Sequence, residues 1–102
     1  MRRPLEPYIR IIEDLIEARI SIAEFRTRTI QQYDREDAGV RWDEEWGVQV
    51  ERALDQMDGD AEVVCPEAPE ESYISDVELL RSCRENLRIL RDALRRAGDG
   101  TA

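Results

Sequence analysis

The chain has 102 residues, of which 41% are hydrophobic, and it carries a formal net charge of −9 with no histidine. This length and apolar content suit one small domain with a single core. Lysine is also absent. Because histidine and lysine supply much of the acid/base catalysis near pH 7, we expect a protein that is not an enzyme.

The acidic residues are concentrated in the middle of the chain. Residues 34–78 contain sixteen acids and three arginines, whereas the segments on either side carry a small excess of arginine. A face of this kind attracts a basic surface and repels nucleic acid. The first hypothesis is therefore a basic protein partner, with no direct contact to nucleic acid.

The first helix is predicted from about Leu5 to Ala18. Apolar residues recur there at helical spacing, with charged residues between them. Pro4 and Pro7 suit the first turn of a helix. The predicted apolar stripe consists of Leu5, Tyr8, Ile9, Ile12, Leu15 and Ile16.

The second helix is predicted to begin at a capping box. Ser21 is followed three residues later by Glu24, a pair that satisfies free backbone N–H groups at a helix start. Ile20 and Phe25 are placed for a hydrophobic staple across the same turn. This helix is predicted to run to about Tyr33.

The third helix is predicted from about Trp42 or Asp43 to Met57. Trp42 and Trp46 lie on its apolar stripe, and both are expected in the core. Gly47 falls inside it and is expected to weaken the helix by up to about 1 kcal/mol.

Residues 58–73 are predicted to form a long acidic loop, because Gly59, Pro66 and Pro69 interrupt any helical pattern. The sequence of this loop does not match the calcium-binding EF-hand motif. Val63 stands where that motif needs glycine, and Pro69 stands where it needs glutamate. We therefore expect no metal and no cofactor.

The fourth helix is predicted from a second capping box, formed by Ser75 and Glu78, to about Arg96, where Gly98 ends it. An arginine stripe on this helix is expected to pair with nearby acids such as Glu85. The predicted core positions are Leu80, Cys83, Leu87, Leu90 and Leu94. The arginine stripe is Arg81, Arg84, Arg88, Arg91 and Arg95.

Cys65 and Cys83 show no metal-type spacing, and no histidine is present to complete a zinc site. Both are interpreted as free thiols, with Cys83 in the core. The basic N-terminus is not followed by a continuous apolar stretch, so we expect neither a signal peptide nor a membrane segment. The predicted location is the cytoplasm.

Together these elements predict an all-α fold: a small antiparallel up-and-down four-helix bundle with a long acidic loop between helices three and four. One domain is expected over residues 1–102, with an ordered core from about 5 to 96. The charged face favours a monomer for the protein alone.

Three segments of the chain carry a recognisable combination of motifs: the run from Ile16 to Phe25, the run from Leu54 to Glu62, and the sequence Tyr73-Ile74-Ser75-Asp76. Together they resemble the colicin D immunity protein-like family of bacterial self-protective immunity proteins. The first segment is similar to the first helix-turn-helix of that family, and the second to its acidic pattern after helix three. The third resembles the Tyr-x-x-Asp pattern before its last helix. The resemblance covers about residues 8 to 95.

This resemblance implies a four-helix bundle that binds the ribonuclease domain of a bacterial toxin and blocks its active site. It further implies a cognate basic nuclease toxin domain as the partner in a one-to-one complex, in the bacterial cytoplasm. The family's acids occupy positions that RNA phosphates would take, which agrees with the charge argument. The residues carried over as toxin contacts are Asp55, Asp58, Asp60, Glu62, Tyr73 and Asp76.

Other interpretations remain open at this point. An acidic antitoxin or nucleic-acid mimic that sequesters another basic protein would show the same acidic segment. An acidic segment can also be no more than a solvated surface. An enzyme that uses clustered carboxylates would need acids on the apolar stripes, and the chain has none there.

Overall fold

A computed structural model describes residues 4–35, 46–65, 67–71 and 74–99. These residues form four α-helices and one short 3-10 turn, with no strand among them. The 3-10 turn covers Pro69–Glu71. The all-helical prediction is confirmed for this part of the chain. In chain order the helices are α1 (Glu6–Ile16), α2 (Ile22–Arg35), α3 (Val48–Val63) and α4 (Asp76–Asp99).

The capping box predicted at the start of α2 is complete, and at the start of α4 the Glu78 N–H makes the bond to the Ser75 side chain while the reciprocal backbone bond is not formed. At the start of α2, the Glu24 N–H donates to Ser21 Oγ at 3.1 Å, and the Ser21 N–H donates to Glu24 Oε1 at 3.2 Å. At the start of α4, the Glu78 N–H donates to Ser75 Oγ at 3.2 Å, and the Ser75 hydroxyl donates to Glu78 Oε1 at 3.0 Å. Side-chain groups therefore satisfy backbone donors that a helix start leaves free.

Helix α1 ends at Ile16, two residues before the predicted end. Ala18 has a left-handed backbone, with φ at 59°. Its N–H donates to the Leu15 carbonyl at 3.1 Å, and the Arg19 N–H donates to the Asp14 carbonyl at 2.8 Å. This is the hydrogen-bond pattern of a Schellman motif, which stops the helix and turns the chain toward α2.

The predicted bounds of the third helix, from about Trp42 or Asp43 to Met57, do not match those of helix α3. Helix α3 begins at Val48 because Gly47 has φ at 96°, which interrupts a helix. Residues 42–45, including Trp42, lie outside the described residues. Helix α3 then runs to Val63, six residues beyond the predicted end at Met57. The first part of the predicted loop is therefore helical.

Tertiary packing explains why α3 continues through Gly59. Met57, Ala61 and the following Val64 are each at most 2% exposed. Burying one large apolar side chain contributes about 1.5–3 kcal/mol, whereas a glycine in a helix costs about 1 kcal/mol relative to alanine. The packing gain exceeds the local cost.

Helix α4 extends to Asp99, so the predicted end near Arg96 was also wrong. Gly98 lies inside the helix. Glycine adopts helical angles as well as left-handed ones, and it ends a helix only where the left-handed conformation is used.

One hydrophobic core takes residues from all four helices. Tyr8, Phe25, Leu54 and Leu90 are each 0% exposed. Helices α1 and α3 each pack against both α2 and α4. This ring of contacts supports a helical bundle, and its antiparallel up-and-down order stays a prediction.

Several predicted core positions are confirmed. Cys83 is buried, and burial, followed by the nearby Asp60 carboxylate, raises the pKa of its thiol to about 12. Trp46 is partly buried against the core. On the first turns of α4, Leu79 is fully buried, whereas the predicted Leu80 is only partly buried.

The arginines of α4 pair with acids as predicted. Arg88 donates to Glu85 at 2.5 Å within the same helix, and Arg95 donates to Asp92 at 2.8 Å. Arg91 reaches across to Glu13 of α1. The arginine stripe is thus partly neutralised along its length.

Candidate functional site

Three of the predicted contact residues lie along one flank of α3. Asp55, Asp58 and Glu62 are separated by three and four residues, which places them on one face of a helix. Asp55 and Glu62 are exposed, and Asp58 is half-buried. Asp34, in the last turn of α2, lies close enough to act on the charge of Asp58. We call these four residues the acidic cluster.

The charged form of Asp58 is disfavoured in the folded protein. The pKa of Asp58 is raised, first by partial burial and then by the carboxylates of Glu62, Asp55 and Asp34. Within the described ranges, none of the four carboxylates forms an ion pair with an arginine. A guanidinium or ammonium group brought by a partner would therefore be attracted to this surface and would relieve the repulsion.

Asp60 occupies a different position. It is 3% exposed, and both of its oxygens accept hydrogen bonds. The Gln56 Nε2 group donates to Oδ1 at 2.9 Å, and the Ser82 hydroxyl of α4 donates to Oδ2 at 2.8 Å. The structure therefore places Asp60 between α3 and α4, away from the acidic cluster.

Of the two remaining predicted contacts, Asp76 belongs to the start of α4. Asp76 is exposed in the first turn of that helix, where a negative charge interacts favourably with the helix dipole. Tyr73 lies outside the described residues. Asp76 is not one of the carboxylates that raise the pKa of Asp58, so it is not part of the acidic cluster.

The segment between α3 and α4 carries three further acids with different surroundings. Glu67 pairs with Arg26 of α2 at 3.6 Å and accepts a hydrogen bond from the Cys65 thiol at 3.4 Å. Its own backbone N–H, then Cys65 and Arg26, lower the pKa of Glu67. Glu70 and Glu71 are exposed on the 3-10 turn. Glu67 therefore ties this segment to α2.

Sequence reasoning did not single out Asp34 as a site residue. The residue belongs to the acidic segment, but it stands more than twenty positions before Asp55 in the chain. Its approach to Asp58 depends on the packing of α2 against α3. The only sequence signal was that the acidic segment begins at Asp34.

Two searches of the described residues gave negative results. No group of three or more histidine, cysteine, aspartate or glutamate side chains is arranged to hold a metal ion in those parts of the chain. Among the described helices, none combines the length and the apolar character needed to cross a membrane.

Comparison with known proteins identifies the family. A family described as bacterial self-protective colicin-like immunity matches residues 4–90, which include α1, α2, α3 and most of α4. No curated protein and no solved structure matches the chain. The matched range contains every residue of the acidic cluster. The chain therefore belongs to the family of bacterial self-protective colicin-like immunity proteins.

Proposed function

We propose that this immunity protein inhibits a cognate bacterial nuclease toxin by placing the acidic cluster over the toxin's basic active site. The observation that carries the proposal is the cluster itself. Asp55, Asp58 and Glu62 share one flank of α3, the charge of Asp34 on α2 acts on Asp58, and none of the four has an arginine partner in the described ranges. Arginine and lysine side chains of a nuclease would supply the missing cations.

The proposed mode of inhibition is RNA mimicry. A ribonuclease that cleaves tRNA binds phosphates through basic side chains, and carboxylates at similar spacing compete for the same groups. The packing of α2 against α3 would hold the acids in place before binding, so little side-chain ordering is needed. The protein acts as a non-enzymatic inhibitor in a one-to-one complex in the bacterial cytoplasm, and is a monomer when free.

The six residues expected as contacts have different proposed roles. Asp55, Asp58 and Glu62 contact the toxin together with Asp34. Asp60 supports this surface from within, because it joins α3 to α4 through Ser82. Asp76, at the start of α4, and Tyr73 are proposed as further toxin contacts.

The proposed function is tested first by co-expression with a candidate toxin domain from the genes neighbouring this one. Growth and the integrity of total tRNA are scored with and without the immunity protein. Restored growth, intact tRNA and a co-purifying one-to-one complex are expected. Death of the cells despite co-expression would contradict immunity, and rescue with a partner that does not cleave RNA would favour the acidic antitoxin alternative.

The proposed site is tested by association kinetics. The double variant Asp55→Asn/Glu62→Gln should bind the toxin about tenfold more slowly at low salt, because electrostatic steering is weakened. Its rate should also depend less on salt than the wild-type rate.

The matched control is Glu70→Gln/Glu71→Gln, which removes the same charge from an exposed turn outside the acidic cluster. This control should associate at a rate close to that of the wild type. If both double variants slow association equally, net charge alone steers the toxin and the acidic cluster is not its docking site.

A further inference from the structure

The outward face of α3 exposes valines as well as acids. Among the described residues, three large apolar side chains are exposed: Val48 at 58%, Val63 at 37% and Val77 at 66%. The first two are the first and the last residue of α3. A single exposed valine is ordinary on a protein surface. Here two of the three lie on the helix that carries most of the acidic cluster, so this helix exposes apolar surface beside its carboxylates.

Helix geometry places both valines on the solvent-facing side of α3. At about 100° per residue, Val48 lies about 20° from Asp55 and about 40° from Glu62 around the helix axis. Val63 lies about 60° from Val48, at the opposite end of the helix. The buried Met57 lies about 180° from Val48, on the side that faces the core. The two valines therefore flank the acids along one surface.

The size of this surface fits one protein contact. The valines stand at the two ends of a 16-residue helix, about 22 Å apart along its axis at about 1.5 Å per residue. A standard protein–protein interface covers about 800 Å² of each partner, which is a patch about 30 Å across. One toxin domain is therefore large enough to cover both valines and the carboxylates between them.

The charge of this face favours a basic partner. Apart from the buried Asp60, α3 contains four acids and one arginine, Arg52. The acids are Glu51, Asp55, Asp58 and Glu62. A surface with this excess of negative charge attracts a basic protein, and such attraction acts mainly on the association rate. The dissociation rate depends more on the apolar surface that the complex buries.

We propose that Val48 and Val63 are apolar anchors of the toxin contact and insert into hollows on either side of the toxin's basic active site. The inference rests on the proposed function and adds the apolar part of the contact to it. The carboxylates attract the toxin, and burial of the valines slows its dissociation. A basic domain without matching hollows would bind and leave quickly, so the two valines select the cognate toxin.

The test measures association and dissociation rates separately, by surface plasmon resonance, with the toxin domain that co-purifies with this protein in the co-expression experiment. The double variant Val48→Ala/Val63→Ala should associate within about twofold of the wild-type rate and dissociate at least about tenfold faster, because it buries less apolar surface in the complex. Both side chains are exposed in the free protein, so the urea unfolding midpoint of the variant should match that of the wild type.

The matched control is Val77→Ala. Val77 is the most exposed of the three valines, and it shares a face of α4 with Arg81 and Arg84, which follow it by four and seven residues. A basic toxin is repelled by this face, so both rates should equal those of the wild type. In about 0.5 M sodium chloride, where charges are screened within about 5 Å, the faster dissociation of the double valine variant should persist.

Two results would overturn the inference alone. These are a wild-type dissociation rate for Val48→Ala/Val63→Ala, and an equal increase in the dissociation rate for Val77→Ala. If Asp55→Asn/Glu62→Gln still slows association in either case, the proposed function stands without apolar anchors. A wild-type protein that forms no complex with any candidate toxin domain would overturn the proposed function, and this inference with it.

Discussion

At the scale of single residues, two aspartates two positions apart in α3 have opposite surroundings. Asp58 lies among other carboxylates, which helps to raise its pKa. Asp60 accepts two hydrogen bonds and is buried. Successive helical positions differ by about 100° around the axis, so neighbouring acids reach different environments. One aspartate therefore destabilises the free fold at neutral pH, and the other stabilises it.

The raised pKa of Asp58 predicts a pH-dependent effect of Asp58→Asn. The folded protein holds this proton to higher pH than the unfolded chain, whose pKa is near the ordinary 3.8. The contribution of protonated Asp58 to the free energy of unfolding is therefore fully present below the unfolded-state pKa. It is lost as the pH rises through the folded-state pKa. In urea unfolding, Asp58→Asn should be more stable than the wild type at pH 7, and the difference should vanish at acidic pH.

Glu70→Gln is the control for this experiment, because it removes an equal charge from an exposed turn. Its unfolding midpoint should stay close to the wild-type midpoint at both pH values. An equal gain in stability from both variants at pH 7 would assign the effect to net charge and not to the surroundings of Asp58.

At the scale of helices, the Asp60 hydrogen bonds join α3 to α4. Asp60→Ala should lower the free energy of unfolding by about 3 kcal/mol, because it leaves the donors of Ser82 and Gln56 without their acceptor. Ser82→Ala should cost about 1–2 kcal/mol. The two effects should be non-additive by more than about 0.5 kcal/mol in a double-mutant cycle measured by urea unfolding.

Exposed Glu71 supplies a control for the same series, since Glu71→Ala should change stability by less than about 0.5 kcal/mol. Strict additivity of Asp60→Ala and Ser82→Ala would contradict a direct contact between their side chains.

Gly59 inside α3 and Gly47 just before it predict substitution effects of opposite sign. Gly59 lies inside the helix, and a Cβ there would meet nothing within 4 Å, so Gly59→Ala should stabilise the protein by up to about 1 kcal/mol. Gly47 has φ at 96°, so Gly47→Ala should destabilise it by about 1–3 kcal/mol. Thermal unfolding of both variants measures the difference, and a loss of stability in Gly59→Ala would show that the helix does not pass through Gly59 in solution.

At the scale of the whole molecule, all four helices share one core. Leu54 is fully buried in it, and Leu54→Ala should cost about 2–5 kcal/mol. Because the core is shared, circular dichroism and tryptophan fluorescence should report the same unfolding midpoint in the variant and in the wild type.

Val48 is 58% exposed on α3, so Val48→Ala is the matched control and should change stability by less than about 0.5 kcal/mol. Separate midpoints for the two signals would show that the helices unfold independently and would contradict a single cooperative core.

The features predicted correctly from the sequence depend on residues close together in the chain. Ser21 with Glu24, and Ser75 with Glu78, form their capping bonds across three positions, so the pattern is visible without knowledge of the fold. The apolar spacing that predicts a buried Cys83 is likewise a property of one helix. The acidic character of the middle of the chain follows from composition alone.

By itself, then, the sequence determined the helical class, two helix starts and the acidic segment. Tertiary structure decided that Asp60 is buried, that Asp34 joins Asp58, and that α3 continues through Gly59. The physical reason is distance along the chain. Asp60 accepts a hydrogen bond from Ser82 across 22 positions, and the charge of Asp34 acts on Asp58 because α2 packs against α3. No local pattern contains those contacts. The burial of Met57, Ala61 and Val64 outweighs the local cost of Gly59 in the helix.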